Sequence, residues 1–134
     1  MEGCKKLSWI EKGKKQSTNR NKGQATEALA LDYLLKQGLR LERKNFHSRQ
    51  GEIDIVMRDA HTYVFVEVKY RKSGLFGGAI SAISYNKEQK IRKCAKFYLQ
   101  QNDLNEYNTP CRFDVIALEG DINQPQITWL RNAF

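Results

Sequence analysis

The residues best suited to chemistry lie in two short runs, GEIDIV at 51–56 and VFVEVKY at 64–70. Both alternate in the manner of strands. In the second run Val64, Val66 and Val68 take one face, and Phe65, Glu67 and Lys69 take the other. In the first, Ile53 and Ile55 are expected on one face, with Glu52 and Asp54 on the other. A short polar turn at 59–62 joins the two. That turn length pairs Arg58 with Tyr63, which sets Asp54 opposite Glu67 and Glu52 opposite Lys69. Side chains opposed in this way have Cβ atoms about 4.5–5.5 Å apart. Two carboxylates so close repel, and one keeps a proton unless a cation neutralises the pair. A hard divalent cation suits such an oxygen-only cluster. Lys69 beside it adds a point charge that can hold a phosphate and orient an attacking water.

An ordinary sheet offers a plainer explanation, since a Glu52–Lys69 cross-strand pair and alternating surface charge are common. The flanking residues speak against it. Glu67 interrupts an apolar run of the kind found in buried strands, where a charge without a partner is rare.

The elements that position these residues can be read around them. Residues 24–37 (QATEALALDYLLKQ) are strong helix formers stopped by Gly38. Ala28, Leu31 and Leu35 form the expected stripe, Leu34 adjoins it, and Glu27 lies on the same side one turn before Leu31. Residues 39–47, 51–59 and 62–71 read as strands. A loop containing Gly74, Gly77 and Gly78 follows, and its Phe76, with Tyr85, is a candidate to order around a substrate. Residues 86–101 form an amphipathic helix with Ile91, Cys94, Ala95, Tyr98 and Leu99 inward and a lysine-rich outer face. Two more strands are expected at 111–118 and 126–131. The order α-β-β-β-α-β-β predicts an α/β fold, a mixed β-sheet flanked by helices.

The chain has 134 residues and a formal charge of +8. That length suits one domain, and the charge favours polyanionic partners, nucleic acid first. Residues 1–23 hold seven Lys or Arg against two Glu, so much of the excess sits in residues 1–22, read as a basic flexible arm carrying Trp9 and Ile10. Residues 23–134 are the expected single domain. No apolar run is long enough to span a bilayer and no secretory signal stands out, which points away from membranes. Cys4, Cys94 and Cys111 are odd in number and widely spaced. They suggest neither a disulfide framework nor zinc, and place the protein in a reducing cytoplasm.

Taken in order, GQATEALA, GEIDIV, FVEVKYR, a glycine-containing loop, a lysine-rich helix and RFDVIAL resemble the YraN-like family of small bacterial predicted endonucleases, within the PD-(D/E)XK superfamily. The resemblance covers about Gly23 to Leu130 and implies a restriction-endonuclease-like core. It implies that Asp54 and Glu67 bind metal with the Val68 carbonyl, that Lys69 positions the attacking water, and that Glu27 contributes from the first helix. Glu52 is a further candidate. The implied reaction is phosphodiester hydrolysis with Mg2+, or Mn2+ in its place, leaving a 5′-phosphate. The implied substrate is DNA, branched or otherwise structured as for Holliday-junction resolvases, which are homodimers. The superfamily's proline is replaced here by Ile53.

Arg71, Lys72, Lys87 and Lys90 are the candidates to hold the nucleic-acid backbone. Lys87 near a helix N-terminus is electrostatically unfavourable, and a phosphate contact would account for it. No array of base-reading side chains is present, so backbone or shape recognition with strong salt dependence is expected. Two rivals stand beside the nuclease: a binding protein that kept the fold without the chemistry, and an RNA-directed factor, since phosphate contacts alone do not distinguish RNA from DNA.

Overall fold

A computed structural model describes residues 18–73 and 83–134. Most of the expected basic arm, with Trp9 and Ile10, and the glycine-containing loop with Phe76 lie outside the described residues. The elements are α1 (Thr18–Lys36), β1 (Arg40–Ser48), β2 (Gly51–Asp59), β3 (Thr62–Arg71), α2 (Tyr85–Gln101), β4 (Cys111–Glu119) and β5 (Gln126–Leu130). The expected order holds. Helix α1 starts at Thr18, six residues before the start expected at residue 24. The opening TNRNK has no apolar period, so periodicity alone cannot register it.

Caps set the helix ends. Gly38 adopts φ 99°, which lets the Leu39 N–H turn back to the Leu34 carbonyl at 3.2 Å and seats Leu39 in the core. Ser84 caps α2 by accepting the Lys87 N–H at 3.1 Å, which fixes where Lys87 enters the structure.

The five strands lie in the order β1-β2-β3-β4-β5. Strands β3 and β4 are parallel and the other pairs antiparallel, so the sheet is mixed. The helix α2 makes the crossover that a parallel pair requires. Each sheet face buries one helix. Ala30 and Leu34 of α1 pack on Ile55, Met57, Val64, Val66, Ile116 and Leu118. Ile91, Cys94, Ala95, Tyr98 and Leu99 of α2 pack on Phe46, Ile53, Val56, Phe65 and Phe113. No helix among the described residues is long and apolar enough to cross a membrane. Cys94 and Cys111 are free.

Two expectations fail. The buried stripe of α1 is Thr26, Ala30 and Leu34, while Ala28 is exposed and Leu35 is 46% exposed. A helix built of Ala and Leu carries more than one apolar stripe, and the sheet selects between them. Ile53 and Ile55 also lie in opposite cores. Asn45 of β1 sits at φ 52°, between the pairs Lys44↔Ile55 and Phe46↔Ile53. A left-handed residue in a strand breaks its alternation, and β2 breaks alongside it, at Asp54.

A polar clamp closes the far end of the sheet. Asp114 is fully buried. It accepts from Arg112 Nε at 3.1 Å, Trp129 Nε1 at 2.9 Å and the Asn132 N–H at 2.9 Å, while Arg112 also reaches Asp59 at 3.1 Å. Removing Asp114 takes away one of the two carboxylates that hold Arg112 and strands the Trp129 Nε1–H and Asn132 N–H donors at a buried place. Asp114→Ala is therefore expected to lose about 3–5 kcal/mol in urea denaturation. A loss below about 1 kcal/mol would show the clamp to be incidental.

Candidate functional site

The expected register of β2 on β3 is present where the strands pair. Arg58 faces Tyr63, and the ladder runs back through Met57↔Val64 to Ile55↔Val66. There it ends, one residue short of Asp54 and Glu67. Past that point the strands part, and the Asp54 carboxylate crosses the gap to accept the Val68 N–H at 2.8 Å. The loss of alternation at Asp54 thus coincides with the fork between the strands.

A cleft of about 380 Å³ opens at the fork. Its lining includes Glu27 of α1, Asp54 of β2, Glu67, Val68, Lys69 and Arg71 of β3, and Lys87 of α2. Glu67 is buried and its Oε2 lies 3.4 Å from Lys69 Nζ and 3.3 Å from Lys87 Nζ. Burial and the neighbouring Glu67 charge push the Asp54 carboxyl up to about 8, against the downward pull of the Val68 N–H. Burial, then the charges of Glu52 and Glu67, raise Glu27 as well. Three carboxyls therefore share one poorly solvated place, where Asp54 binds a proton far more tightly than a free carboxyl does.

Of the residues singled out in the sequence, Glu27, Asp54, Glu67, Val68, Lys69, Arg71 and Lys87 meet in this cleft. Glu52 does not. With no β2–β3 ladder beyond Ile55, it is carried out with β1 to His47 (3.3 Å), and both are exposed. Lys72 is exposed beyond the end of β3, and Lys90 packs beside Gly51 instead of lining the cleft. The helix-start placement of Lys87 is explained by its ion pair with Glu67. Three lining residues were not among the candidates: Gly23, Thr26 and Tyr70. Thr26 is buried, its hydroxyl donating to the Gly23 carbonyl at 3.0 Å. Tyr70 donates to the Gly120 carbonyl at 2.6 Å, pinning the end of β3. A threonine within an otherwise Ala- and Leu-rich helix was the only signal for Thr26.

The donors offered by Asp54, Glu67, Glu27 and the Val68 carbonyl are all oxygen, which fits a hard divalent cation and not zinc. Among the described residues no three of His, Cys, Asp and Glu gather tightly enough to ligate an ion by themselves. Two carboxylates would hold it, with the carbonyl and solvent completing the shell. The raised Asp54 fits that use, because a cation supplies the positive charge that a proton otherwise provides.

A family model described as uncharacterised protein family UPF0102 matches residues 26–118. The chain is 67% identical over 120 residues to a UPF0102 protein of Colwellia psychrerythraea, covering 90% of this chain and 93% of that one. It is 44% identical over 120 residues to a UPF0102 protein of Nitrosococcus oceani (90% and 96% covered), and 46% identical over 113 residues to one of Legionella pneumophila (84% and 93% covered).

Proposed function

The chain belongs to the UPF0102 family, and we propose that it is a divalent-metal-dependent endonuclease of the PD-(D/E)XK type, with a restriction-endonuclease-like core, that hydrolyses DNA phosphodiesters. One observation carries the reading. Asp54 and Glu67 leave two diverging strands to line a single cleft, with Lys69 on Glu67 and Asp54 tied to the Val68 N–H. Acids that repel are gathered in a poorly solvated fork, an arrangement unfavourable for stability and suited to a cation.

Asp54, Glu67 and the Val68 carbonyl would hold Mg2+, or Mn2+ in its place, and the ion would supply Lewis-acid polarisation and a nucleophilic water at neutral pH. The chain's own groups do the rest. Lys69 stands next to Glu67 with its side chain mostly shielded, placed to orient the attacking water and face the growing phosphoryl charge. Lys87 holds Glu67 from the opposite element, and Arg71 offers a fork for an adjacent phosphate. Glu27 brings a third carboxyl from α1, completing a wall that no single strand could build.

No base-reading array accompanies the cleft, which favours substrates recognised by backbone or shape, with branched DNA foremost by the likeness to junction resolvases; a homodimer belongs to the same likeness. One observation favours a second reading, a nucleic-acid-binding protein without chemistry: Glu67 already carries two lysine partners. Incubation with linear, flapped and four-way DNA in Mg2+ or Mn2+ separates the two. The nuclease reading expects 5′-phosphate products that vanish with EDTA. Binding to every substrate with no product under either metal would establish the second reading.

A further inference from the structure

One strongly charged surface has no part in the cleft. β1 is an outer strand of the sheet. Arg40, Arg43, Lys44 and the turn residue Arg49 are exposed along it, and among the described residues none of the four makes an ion pair. The strand's only acid, Glu42, is taken by Arg58 at 3.3 Å. Cations on an edge strand discourage other strands from adding to it, which accounts for some positive charge but not for its position.

That position is beside the cleft. Asn45 falls level with Asp54 between flanking pairs, Lys44 lines a pocket together with Glu27 and Asp54, and the charges of Lys44 and His47 partly offset the rise in the Glu27 pKa. The β1–β2 turn closes on α2, where Gly51 lies so near Lys90 that an added Cβ would stand 3.5 Å from the Lys90 Cβ. Lys90 is one turn along α2 from Lys87, the partner of Glu67. Cations of β1 and cations of α2 therefore meet at this turn and border the cleft. The nine residues of β1 extend about 30 Å, close to the ~34 Å of one duplex turn. Pairing β1 with a second copy would bring this row against like charges, so the edge suits a polyanion and not another copy of itself.

We infer that the β1 edge, from Arg40 to Arg49, is a backbone rail for a duplex DNA arm, with Lys44, Arg49 and Lys90 contacting phosphates next to the cleft. The inference rests on the nuclease reading for what lies at the end of the rail, and binding tests it apart from cleavage. The probe is a short fluorescein-labelled duplex DNA in EDTA, followed by anisotropy across a range of NaCl. The variants are R43Q/K44Q/R49Q and the milder K44Q/R49Q. An equal charge loss on other elements, K36Q/K96Q/R131Q, is the control.

Each cation withdrawn from a duplex phosphate lowers the slope of log K against log salt by about 0.9. The triple variant is expected to lose about two to three in slope and to bind at least about tenfold more weakly, and the double variant about two in slope. The control is expected to change the slope by less than about one. An unchanged slope in both β1 variants, or an equal loss in the control, overturns the rail; if the wild type still cleaves, the nuclease reading survives. A slope reduced only in the β1 variants, from a wild type that never cleaves in Mn2+, keeps the rail and ends the nuclease reading.

Discussion

Asp54→Asn is expected to reduce DNA cleavage by at least about a thousandfold while the protein stays folded. The amide keeps the size of the carboxyl and an oxygen that accepts the Val68 N–H, now at 2.8 Å, so the fork between β2 and β3 persists. What disappears is one of the two charges that would hold the cation, and with it several kcal/mol of charge stabilisation, at about 1.4 kcal/mol per tenfold in rate. Lys69→Met is expected to lose about 100- to 1,000-fold, the usual effect of removing one group aimed at developing charge. Methionine fills the space of the lysine stem, and Lys87 still neutralises Glu67 at 3.3 Å. The folded state is checked by circular dichroism and urea denaturation, the rate by single-turnover cleavage. Either variant cleaving within about threefold of wild type would remove that residue from the chemistry.

The same substitution has a second large effect, on stability and with the opposite sign. In the metal-free protein the Asp54 carboxyl stands at about 8 against an ordinary 3.8, so the folded state holds this proton more tightly than the unfolded chain. The stabilisation from that proton is complete below about pH 4, declines as pH rises and is gone above about pH 8. Its steepest loss approaches 1.4 kcal/mol per pH unit, amounting to a few kcal/mol across the window. Glu27, also raised, adds in the same direction. Metal-free wild type should therefore lose stability relative to Asp54→Asn between pH 4 and 8, and Asp54→Asn should be the more stable protein at pH 8. Divalent metal should close that gap, because it stabilises only the form that binds it. Urea denaturation of both proteins at intervals from pH 4.5 to 8.5 in EDTA is the check. Two curves that run parallel across the range would mean that Asp54 is not strained in the fork.

The parts of this structure legible in the sequence are those fixed by short-range rules. The Arg58↔Tyr63 register follows from the length of the turn, and with it the shared face of Phe65, Glu67 and Lys69. Gly38 marks the end of α1, and the amphipathic pattern at 86–101 bounds α2 closely. What eluded the sequence depends on distant neighbours. Ile53 and Ile55 part company where β2 runs alongside a left-handed Asn45 on another strand. The sheet, not the helix, chooses Ala30 and Leu34 over Ala28 and Leu35. Glu52 follows β1 to His47 because the β2–β3 ladder stops at Ile55, and that same stop opens the cleft. Lys87 meets Glu67 across a gap in sequence that no local pattern spans. The cations of β1 were legible as charges, but their place beside the cleft emerges only from the strand order.

The central claim is that Asp54 and Glu67 together hold one divalent cation, and calorimetric titration of Mn2+ in the absence of DNA tests it most directly. Wild type should take up about one ion, releasing close to one proton at pH 7 and fewer at pH 9, read from buffers of different ionisation enthalpy. Asp54→Asn should bind at least about a hundredfold more weakly and release no such proton. Equal Mn2+ affinity in the two proteins, or no binding by the wild type at millimolar metal, would contradict it.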